Sequence, residues 1–403
     1  MGHDSNHADD MLWREEAVER MLDVREVLSR QPTETVAPGE GIGGRVLADR
    51  IDAAADMPAF DHATMDGYAF DVTDEYPLEI VESVFPEDEP PTLDSEQAVS
   101  IATGAPLPER ANAVLKKEMA TVEDGQLSGP DLAPGTDTYE RGSNVTAGET
   151  LFEAGERLSA KDAIFLRDLE RESVAVYEPL SVGLLATGSE IHEGRVADHD
   201  SPMLAELVQS WGHRATYEGT VPDDHERVEA RIADLADKHD VVMTTGGTSV
   251  GKKDYVIRSL ESLGRVIFHR VRVRPGKPIG LAELPNAIAI AVPGKPVGAH
   301  TITTLIARPF FTGKTSMPTI RAELTHRVAI DEGFEYAVPV TIEEGTATPL
   351  GHIESQLSVY EETFDPSVLS SSTRATRADG FFITEQTVEK DETVAVIPYE
   401  VLE

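Results

Sequence analysis

The sequence contains no cysteine, few lysines and no long apolar run. Without cysteine, disulfides, thiolate nucleophiles and thiolate-bound metals are excluded, so any metal would be held by oxygen or histidine ligands. Carboxylates suit hard ions such as magnesium best. No stretch approaches the roughly 20 apolar residues of a membrane helix, and no secretory signal is visible at the N-terminus. We therefore expect a cytoplasmic protein without a membrane partner.

Positive charge is scarce, because the formal net charge is −38 and only 10 Lys accompany 25 Arg. A field this acidic repels phosphate, so free nucleic acid is not an expected partner. The acidic residues are spread along the whole chain, and we interpret them as a halophilic adaptation to a high-salt cytoplasm that screens charge. The length of 403 residues predicts about two or three domains.

Apolar periodicity predicts an amphipathic helix over residues 9–30. The Gly-x-Gly-x-x-Gly pattern at 39–44 matches a dinucleotide fingerprint, but the segment before it is polar and Pro-rich rather than a strand. We interpret it as a turn that feeds a second helix, "GRVLADRI". Residues 50–145 predict short strands and turns, and strands of a small β-domain follow from about residue 317.

Between residue 180 and about residue 315, predicted strands and helices alternate. "LSVGLLAT" and "DVVMTT" are typical of buried strands, and "SPMLAELVQSWG" predicts a helix with Ser201 as its N-cap. This order indicates a doubly wound α/β domain with helices on both faces. Ligands of such a sheet bind at the carboxyl ends of the strands, where "TGSE" (187–190) and "TGGTSVGKKD" (245–254) lie.

The second of these loops is close to a nucleotide triphosphatase P-loop, since Gly246, Gly251 and Lys252 satisfy Gly-x-x-x-x-Gly-Lys. The hydroxyl that should follow the lysine and hold a magnesium ion is replaced by Lys253, and Asp254 comes next. We therefore favour a different phosphate site, with Asp254 in the metal role, over an ATP-hydrolysing loop.

Cationic residues concentrate near this loop. Arg270, Arg272 and Arg274 are spaced by two, so on a strand they would share one face about 6.6 Å apart. Such a face can protect an edge strand, but in so acidic a chain we favour an anion-binding surface. The lysines in the neighbouring Gly/Pro loops support this interpretation: Lys252, Lys253, Lys277 and Lys295.

Carboxylates follow the same strand ends. Glu190, Asp223 and Asp254 would suit a magnesium ion that bridges carboxylate and phosphate, whereas Asp224 is more typical of a helix cap. Farther upstream, Asp66 precedes Gly67 in "MDGYA", a turn that could present the carboxylate or simply close a hairpin.

Together these segments resemble the molybdopterin molybdenumtransferase family, which comprises MoeA-type proteins and the matching E domain of gephyrin. The resemblance covers nearly the whole chain, and "MDGYA" and "GGTSVGKKDY" are its most specific motifs. The motifs occur in family order: "MDGYA" (65–69), "IATGAPLPERANAV" (101–114), "RGSNVTAGE" (141–149), "TGSE", "GGTSVGKKDY" (246–255), "RPGKP" (274–278) and "VPGKPVGA" (292–299).

The resemblance implies a multidomain α/β homodimer. Its parts would be an elongated dimerisation domain (1–50 and 141–179), a β-rich inserted domain (51–140), a doubly wound molybdopterin-binding α/β domain (180–316) and a C-terminal β-barrel-like domain (317–403). It implies that molybdenum from molybdate is inserted into adenylylated molybdopterin with release of AMP, assisted by Mg²⁺. Because only one α/β domain of phosphate-binding type is visible, a separate molybdopterin adenylyltransferase should supply the adenylylated substrate.

Site residues follow from the resemblance position by position. Asp66 matches an acid that faces the neighbouring subunit's site, and Thr103 matches a hydroxyl of the "TGA" turn. Asp254 completes a set of acids around metal and pyrophosphate that includes Glu190 and Asp223. The remaining matches would bind the pterin substrate: Gly246, Gly247, Ser249, Gly251, Arg270, Arg274, Lys277 and Lys295.

The chain departs from the family pattern at several positions. Asn144 stands where Asp is usual, Ser189 where "TGDE" is usual and Lys295 where "PGNP" is usual. The serine that relatives place near the site is one of three consecutive ones, residues 370–372. These departures leave two alternatives open: a non-catalytic molybdopterin-binding scaffold, and a paralogue that prefers tungstate.

Overall fold

A computed structural model describes residues 11–27, 32–39, 41–247, 254–361 and 363–402. The chain divides into two compact units. The inserted unit comprises Leu47–Glu156 and Phe165–Arg171, and the main unit comprises Met1–Val46, Arg157–Ile164 and Glu172–Glu403. Within the described ranges, no helix is both long and apolar enough to cross a membrane.

The first part of the chain is built mainly from short strands. In chain order its elements are α1 (Arg14–Val27), β1 (Thr33–Val36), β2 (Ile51–Asp52), β3 (His62–Ala63), β4 (Gly67–Phe70), β5 (Leu78–Val84), β6 (Gln97–Ile101), β7 (Ala113–Lys116), β8 (Thr121–Glu123), β9 (Gln126–Ser128), β10 (Thr138–Tyr139), β11 (Thr150–Phe152), α2 (Asp162–Asp168) and β12 (Val174–Tyr177). The strands β1 and β12 pair antiparallel in the main unit.

The inserted unit is organised around a six-stranded sheet of order β7-β4-β6-β5-β9-β8. Its β5 and β6 are parallel, and its other neighbours are antiparallel. Side chains that alternate along β4 and β6 fill two apolar clusters, one around Val99 and Val114 and one around Phe70 and Leu115. This unit confirms the prediction of short strands between residues 50 and 145.

The main unit contains an open α/β sheet. Its elements are β13 (Ser181–Thr187), α3 (Ser189–His192), α4 (Asp200–Ser210), β14 (Arg214–Val221), α5 (His225–Ala236), β15 (Val241–Thr245), α6 (Tyr255–Leu263), β16 (Arg265–His269), β17 (Val273–Arg274), β18 (Gly280–Glu283), β19 (Ile288–Val292), α7 (Pro296–Ile302) and α8 (Arg308–Thr312). The strand order is β14-β13-β15-β19-β18-β16. The first four strands are parallel, and β18 is antiparallel to both of its neighbours, β19 and β16.

Helices cover both faces of this sheet. Along β15, Met243 packs in the core shared with α1, α4, α7 and α8, whereas Val242 packs against α5 and α6. The apolar runs of the central strands are therefore buried on both sides, as expected for parallel strands. The predicted doubly wound α/β architecture is confirmed.

A closed barrel follows in the same unit. Its elements are β20 (Ile320–Leu324), β21 (Glu335–Glu343), β22 (Thr346–Pro349), α9 (Pro366–Leu369), β23 (Gly380–Thr384) and β24 (Thr393–Pro398). The order β21-β22-β20-β24-β23 closes through a second pairing between β21 and β23, and β17 adds to β21 from outside. The predicted β-barrel-like domain is confirmed, and closure removes the exposed strand edges.

Two local predictions are wrong. "GRVLADRI" is not helical, because Val46 bridges to Arg157 and the segment runs as irregular structure. Ser201 is not the cap of its helix, because α4 begins one residue earlier at Asp200. The carboxylate of Asp198 accepts the backbone N–H groups of Asp200 and Ser201 instead.

Candidate active site

A cavity of about 650 Å³ lies at the carboxyl ends of β13, β15 and β19 in the main unit. It brings together loops that are far apart in sequence, as expected at this edge of a doubly wound sheet. It is lined by Thr187, Gly188, Glu190, Ile191, Asp223, Gly246, Gly247, Arg274, Pro275, Gly276, Lys277, Pro278, Pro293, Gly294, Lys295, Gly298, Pro366, Ser367 and Ser370.

The floor of the cavity is a close approach of strand-end glycines. Gly246 has φ +84°, and a Cβ there would lie 2.6 Å from the carbonyl oxygen of Thr187. A Cβ on Gly294 would lie 3.0 Å from the Cα of Gly246. Only glycine fits such contacts, so the backbone itself forms the floor and a ligand can approach it closely.

One wall is acidic. Glu190 lies in α3, the short helix that follows β13, and Asp223 lies just beyond β14. The backbone N–H of Asp223 donates to the Ser189 hydroxyl at 3.0 Å, which ties the two acidic loops together. Ser189, one of the departures from the family pattern, thus has a definite structural role. Asp224 caps α5 by accepting the N–H of Arg227, as expected.

Three cations line the same cavity and form its cationic wall: Arg274, Lys277 and Lys295. The guanidinium carbon of Arg274 lies 3.9 Å from the ring centroid of Phe334, and the Lys277 ammonium lies 5.7 Å from the same ring. The aromatic face therefore orients two cations by cation–π attraction and shields them partly from water. Planar guanidinium and compact ammonium groups are both suited to phosphate and other oxyanions.

The predicted arginine face on a single strand is wrong. The strand β16 ends at His269, and Arg270 has φ +85°, which breaks the extended backbone. Arg272 donates to the Met11 carbonyl and lies 5.3 Å from the Trp13 ring, so it attaches the N-terminal segment. Of the three arginines, only Arg274 is among the described residues that line the cavity.

A turn from the barrel side closes the cavity. The backbone N–H of Val297 donates to the Ser370 carbonyl at 3.1 Å. The Ser367 carbonyl accepts both the Lys295 ammonium and the Ser370 hydroxyl, each at 3.1 Å. Among the three consecutive serines, Ser370 is the one that lines the cavity within the described chain.

Asp254 is a buried N-cap of α6 and is not among the described residues that line the cavity. Its carboxylate accepts the N–H of Ile257 at 3.3 Å, and His269 Nε2 lies 3.6 Å from its other oxygen. Burial raises the pKa of this carboxyl to about 6, against the opposing effect of the Ile257 hydrogen bond and of Arg270. Its predicted metal role stays a prediction, and Ser249 and Gly251 lie outside the described residues.

In the inserted unit, Asp66 and Thr103 form a pair. The Thr103 backbone N–H and hydroxyl both donate to Asp66 Oδ1 at 2.7 Å. The hydroxyl bond and the backbone bond lower the pKa of Asp66, so its carboxylate is held ionised and oriented. The structure therefore brings together the two residues that the sequence predicted separately.

Sequence reasoning missed several cavity residues. Phe334 follows no motif, and only its position under two cations reveals a role. Thr187 ends β13 and sends its hydroxyl to the Thr245 carbonyl at 3.1 Å, which a sequence pattern could not predict. Its position in "LSVGLLAT" could have indicated a role. A threonine that ends an otherwise apolar strand at the ligand-binding edge of a sheet is a candidate cavity residue.

The fold is an α/β domain with a barrel appended, and its cavity is lined by both carboxylates and cations. Residues 13–169 match the MoeA N-terminal region (domain I and II), and residues 183–313 match a probable molybdopterin binding domain. A molybdopterin molybdenumtransferase of Haemophilus influenzae is 29% identical over 389 residues, covering 88% of this chain and 91% of the relative. That of Synechococcus elongatus is 31% identical over 291 residues, covering 66% and 72%.

Solved structures agree with these matches. A molybdopterin biosynthesis MoeA protein from Pyrococcus horikoshii is 27% identical, with a TM-score of 0.75 and coverage of 96% of this chain and 99% of that one. A second MoeA structure from Pyrococcus horikoshii, at 23% identity, has a TM-score of 0.76 and shares the fold. This chain belongs to the molybdopterin molybdenumtransferase family of MoeA-type proteins.

Proposed function

We propose that this chain is a molybdopterin molybdenumtransferase, which inserts molybdenum from molybdate into adenylylated molybdopterin and releases AMP. Family membership supports a role in molybdenum cofactor biosynthesis and an enzymatic activity. The observation that carries the proposal is the cavity itself, which is lined by two carboxylates, three cations and the glycine floor.

The cationic wall fits the substrates of this reaction. Molybdate and the phosphate groups of the adenylylated pterin are both anions, and both require donors that are already oriented. Arg274 is fixed by Phe334, and Lys295 by the Ser367 carbonyl, so their charges are preorganised. Preorganised charge stabilises an anion without reorganisation at the moment of reaction.

The acidic wall fits a magnesium ion. Glu190 and Asp223 present hard carboxylate oxygens on the same side of the cavity, and Mg²⁺ in enzymes is commonly held by one or two carboxylates plus substrate phosphates. No group of three or more histidine or acidic residues that could hold a metal ion is found in the described ranges. A bound Mg²⁺ would polarise the phosphoanhydride and neutralise its charge.

The remaining predicted residues enter the proposal with defined roles. Gly246 and Gly247 would let backbone N–H groups approach the substrate phosphate, together with Ser249 and Gly251 of the same loop. Asp254 would act at the metal or, as a buried cap, hold the start of α6 behind that loop. The Asp66–Thr103 pair would serve the neighbouring subunit's site in a homodimer.

We also propose the cellular setting that the sequence predicts. The acidic composition supports a halophilic, cytoplasmic protein that binds neither nucleic acid nor membrane. A separate molybdopterin adenylyltransferase would act immediately upstream. Since molybdate and tungstate have nearly the same size and charge, both remain substrates to compare.

The decisive test is AMP release from adenylylated molybdopterin by the purified protein in high salt with Mg²⁺, with and without molybdate or tungstate. Molybdate-dependent release of AMP is the expected result. Tight pterin binding without AMP release under either oxyanion would instead identify a scaffold. In that case Asn144→Asp is the first reversion to make, because it restores the carboxylate that relatives have.

A further inference from the structure

A carboxylate that no motif singles out lies directly behind the cavity floor. Asp200, the first residue of α4, is only 7% exposed. Its Oδ2 accepts the hydroxyl of Thr245 at 3.1 Å. Its Oδ1 is buried and has no hydrogen-bond partner among the described residues. Asp200 also takes part in no ion pair within that part of the chain.

This carboxylate begins a hydrogen-bonded chain that ends in the cavity. Thr245 and Thr187 are the last residues of β15 and β13, and each is 3% exposed. The Thr245 hydroxyl donates to Asp200, and the Thr245 carbonyl accepts the Thr187 hydroxyl at 3.1 Å. Both strands then turn directly into cavity-lining residues, Gly188 to Glu190 after one and Gly246 after the other.

The cavity glycines lie against Thr187, and two amides of the cavity backbone are hydrogen-bonded to neighbouring strands. A Cβ on Gly247 would lie 2.7 Å from the Thr187 hydroxyl oxygen. The Gly246 N–H donates to the Val292 carbonyl, and the Gly188 N–H donates to the Val221 carbonyl, each at 3.1 Å. A displacement of Thr187 or Thr245 would therefore shift the glycine floor and the acidic wall of the cavity together.

Stability alone does not account for Asp200. Among the described residues this buried carboxylate has no ion pair and one unpartnered oxygen, an arrangement that is unfavourable, so a neutral side chain of similar size would suit the position better. Burial raises the pKa of Asp200, and the neighbouring Asp198 acts in the same direction, whereas the Thr245 bond and the charge of His199 oppose it. Groups that are unfavourable for folding and border a binding cavity are candidates for a functional role.

We propose that Asp200 is a positioning residue, which holds Thr245 and, through it, Thr187, so that the acidic wall and the glycine floor keep their geometry. The effect on turnover rests on the proposed function, whereas the effect on backbone protection does not. Asp200 does not line the cavity and needs no contact with substrate.

The test uses the full-length protein and two ways to remove one hydrogen bond, Asp200→Ala and Thr245→Val. Hydrogen exchange should show that protection of the Gly188 and Gly246 amides falls by about fivefold in each variant, the factor contributed by one ordinary hydrogen bond. The conservative variants Asp200→Asn and Thr245→Ser keep an acceptor and a donor, so they should retain wild-type protection.

A double variant sharpens the result. Thr245→Val leaves the buried carboxylate without its donor and should lower the unfolding midpoint, and adding Asp200→Ala should restore it, because removing both partners is less costly than removing one. In turnover, both single variants should raise the Mg²⁺ concentration for half-maximal AMP release and also KM for the pterin substrate, because the acidic wall and the glycine floor would be displaced together.

Matched control variants lie at the other end of the same strands. Asp240→Ala removes a carboxylate that accepts the Ser181 hydroxyl, so it should leave the Gly188 and Gly246 amides unaffected. Unchanged protection in both Asp200→Ala and Thr245→Val would overturn the inference, and so would an Asp200→Asn variant as defective as Asp200→Ala. A wild type that releases no AMP but shows the protection pattern would refute the transferase and leave Asp200 in its positioning role.

Discussion

The two ends of strands β13 and β15 carry similar residues in opposite circumstances. At the amino ends, Asp240 accepts both the backbone N–H and the hydroxyl of Ser181, at 2.8 and 2.6 Å, and its own N–H donates back at 3.0 Å. At the carboxyl ends, the corresponding aspartate is the buried Asp200, with one oxygen unpartnered among the described residues. The amino ends are fully satisfied and exposed, whereas the carboxyl ends combine buried charge with glycine backbone.

The comparison shows that the two ends of the same strands serve different purposes. Residues at the amino ends stabilise the sheet, whereas residues at the carboxyl ends form the cavity. At the amino ends, Asp240 and Ser181 form hydrogen bonds with each other, so these groups are not available to a ligand. Groups at the carboxyl ends, such as Glu190 and Gly246, line a cavity instead. Such unsatisfied arrangements are typical of sites where activity is favoured over stability.

The largest effect should come from Glu190→Gln. It removes one charge from the acidic wall at the carboxyl ends, so AMP release should fall about a hundredfold, on the order of 3 kcal/mol of transition-state stabilisation. Steady-state kinetics at saturating pterin substrate measure it. The control is Glu193→Gln, an exposed acid at the end of the same short helix, which should keep the wild-type rate. Wild-type turnover by Glu190→Gln would remove the acidic wall from the mechanism.

The second prediction concerns the pH dependence of stability that Asp254, a buried acid beyond the carboxyl end of β15, should cause. Its carboxyl has a pKa raised to about 6, so the folded protein binds this proton more tightly than the unfolded chain does. The stabilisation from the protonated form is complete below about pH 4 and is lost as the pH rises through 6. Asp254→Asn keeps a capping side chain, and at pH 7 it should exceed the wild type in stability by on the order of 2–3 kcal/mol.

Denaturant titrations of both proteins between pH 4 and pH 8, at constant high salt, provide the measurement. The two stabilities should converge toward pH 4. A constant difference across this range would contradict a raised pKa for Asp254.

Gly246→Ala should give a smaller but still clear loss of stability. The new Cβ would meet the Thr187 carbonyl oxygen at 2.6 Å and would also require a left-handed backbone. Gly219, in β14, is the matched control, since its φ is +90° but nothing lies within 4 Å of its Cβ position. We expect a cost of about 1 kcal/mol for Gly219→Ala and about 2–3 kcal/mol for Gly246→Ala. Equal unfolding midpoints would show that the close approach contributes nothing.

The smallest effect is expected at the amino ends. Asp240→Ala should lower the free energy of unfolding by about 1 kcal/mol, because it breaks exposed hydrogen bonds that water can replace. The rate of AMP release should not change. A loss of activity comparable with that of Asp200→Ala would remove the distinction between the two ends.

The fold was accessible from the sequence because its elements obey simple periodicities. The apolar strand from Ser181 to Thr187 and the helix from Asp200 to Ser210 appear where the pattern predicts them. The helix predicted at "GRVLADRI" fails because Val46 pairs with a residue more than a hundred positions away. No local pattern encodes such a partner.

The site was accessible only in part. The acids and glycines at strand ends were predicted because topology alone brings those ends together. The spacing of the arginines from 270 to 274 was misleading. The same alternation of charged and apolar residues occurs on a continuous strand and on a segment whose extended backbone is broken at Arg270. Ser370 could not be chosen among its neighbours, because the choice depends on a backbone bond from Val297.

The hydrogen bonds from Lys295 and Ser370 to the Ser367 carbonyl join an early part of the cavity to a part of the chain that is synthesised later. A ribosome that has made the chain through α7 has already produced both acids and all three cations of the cavity. The nascent chain still lacks Phe334, which orients two of those cations, and the turn that completes the wall. Substrate binding in its final form therefore becomes possible only after the barrel has emerged and folded.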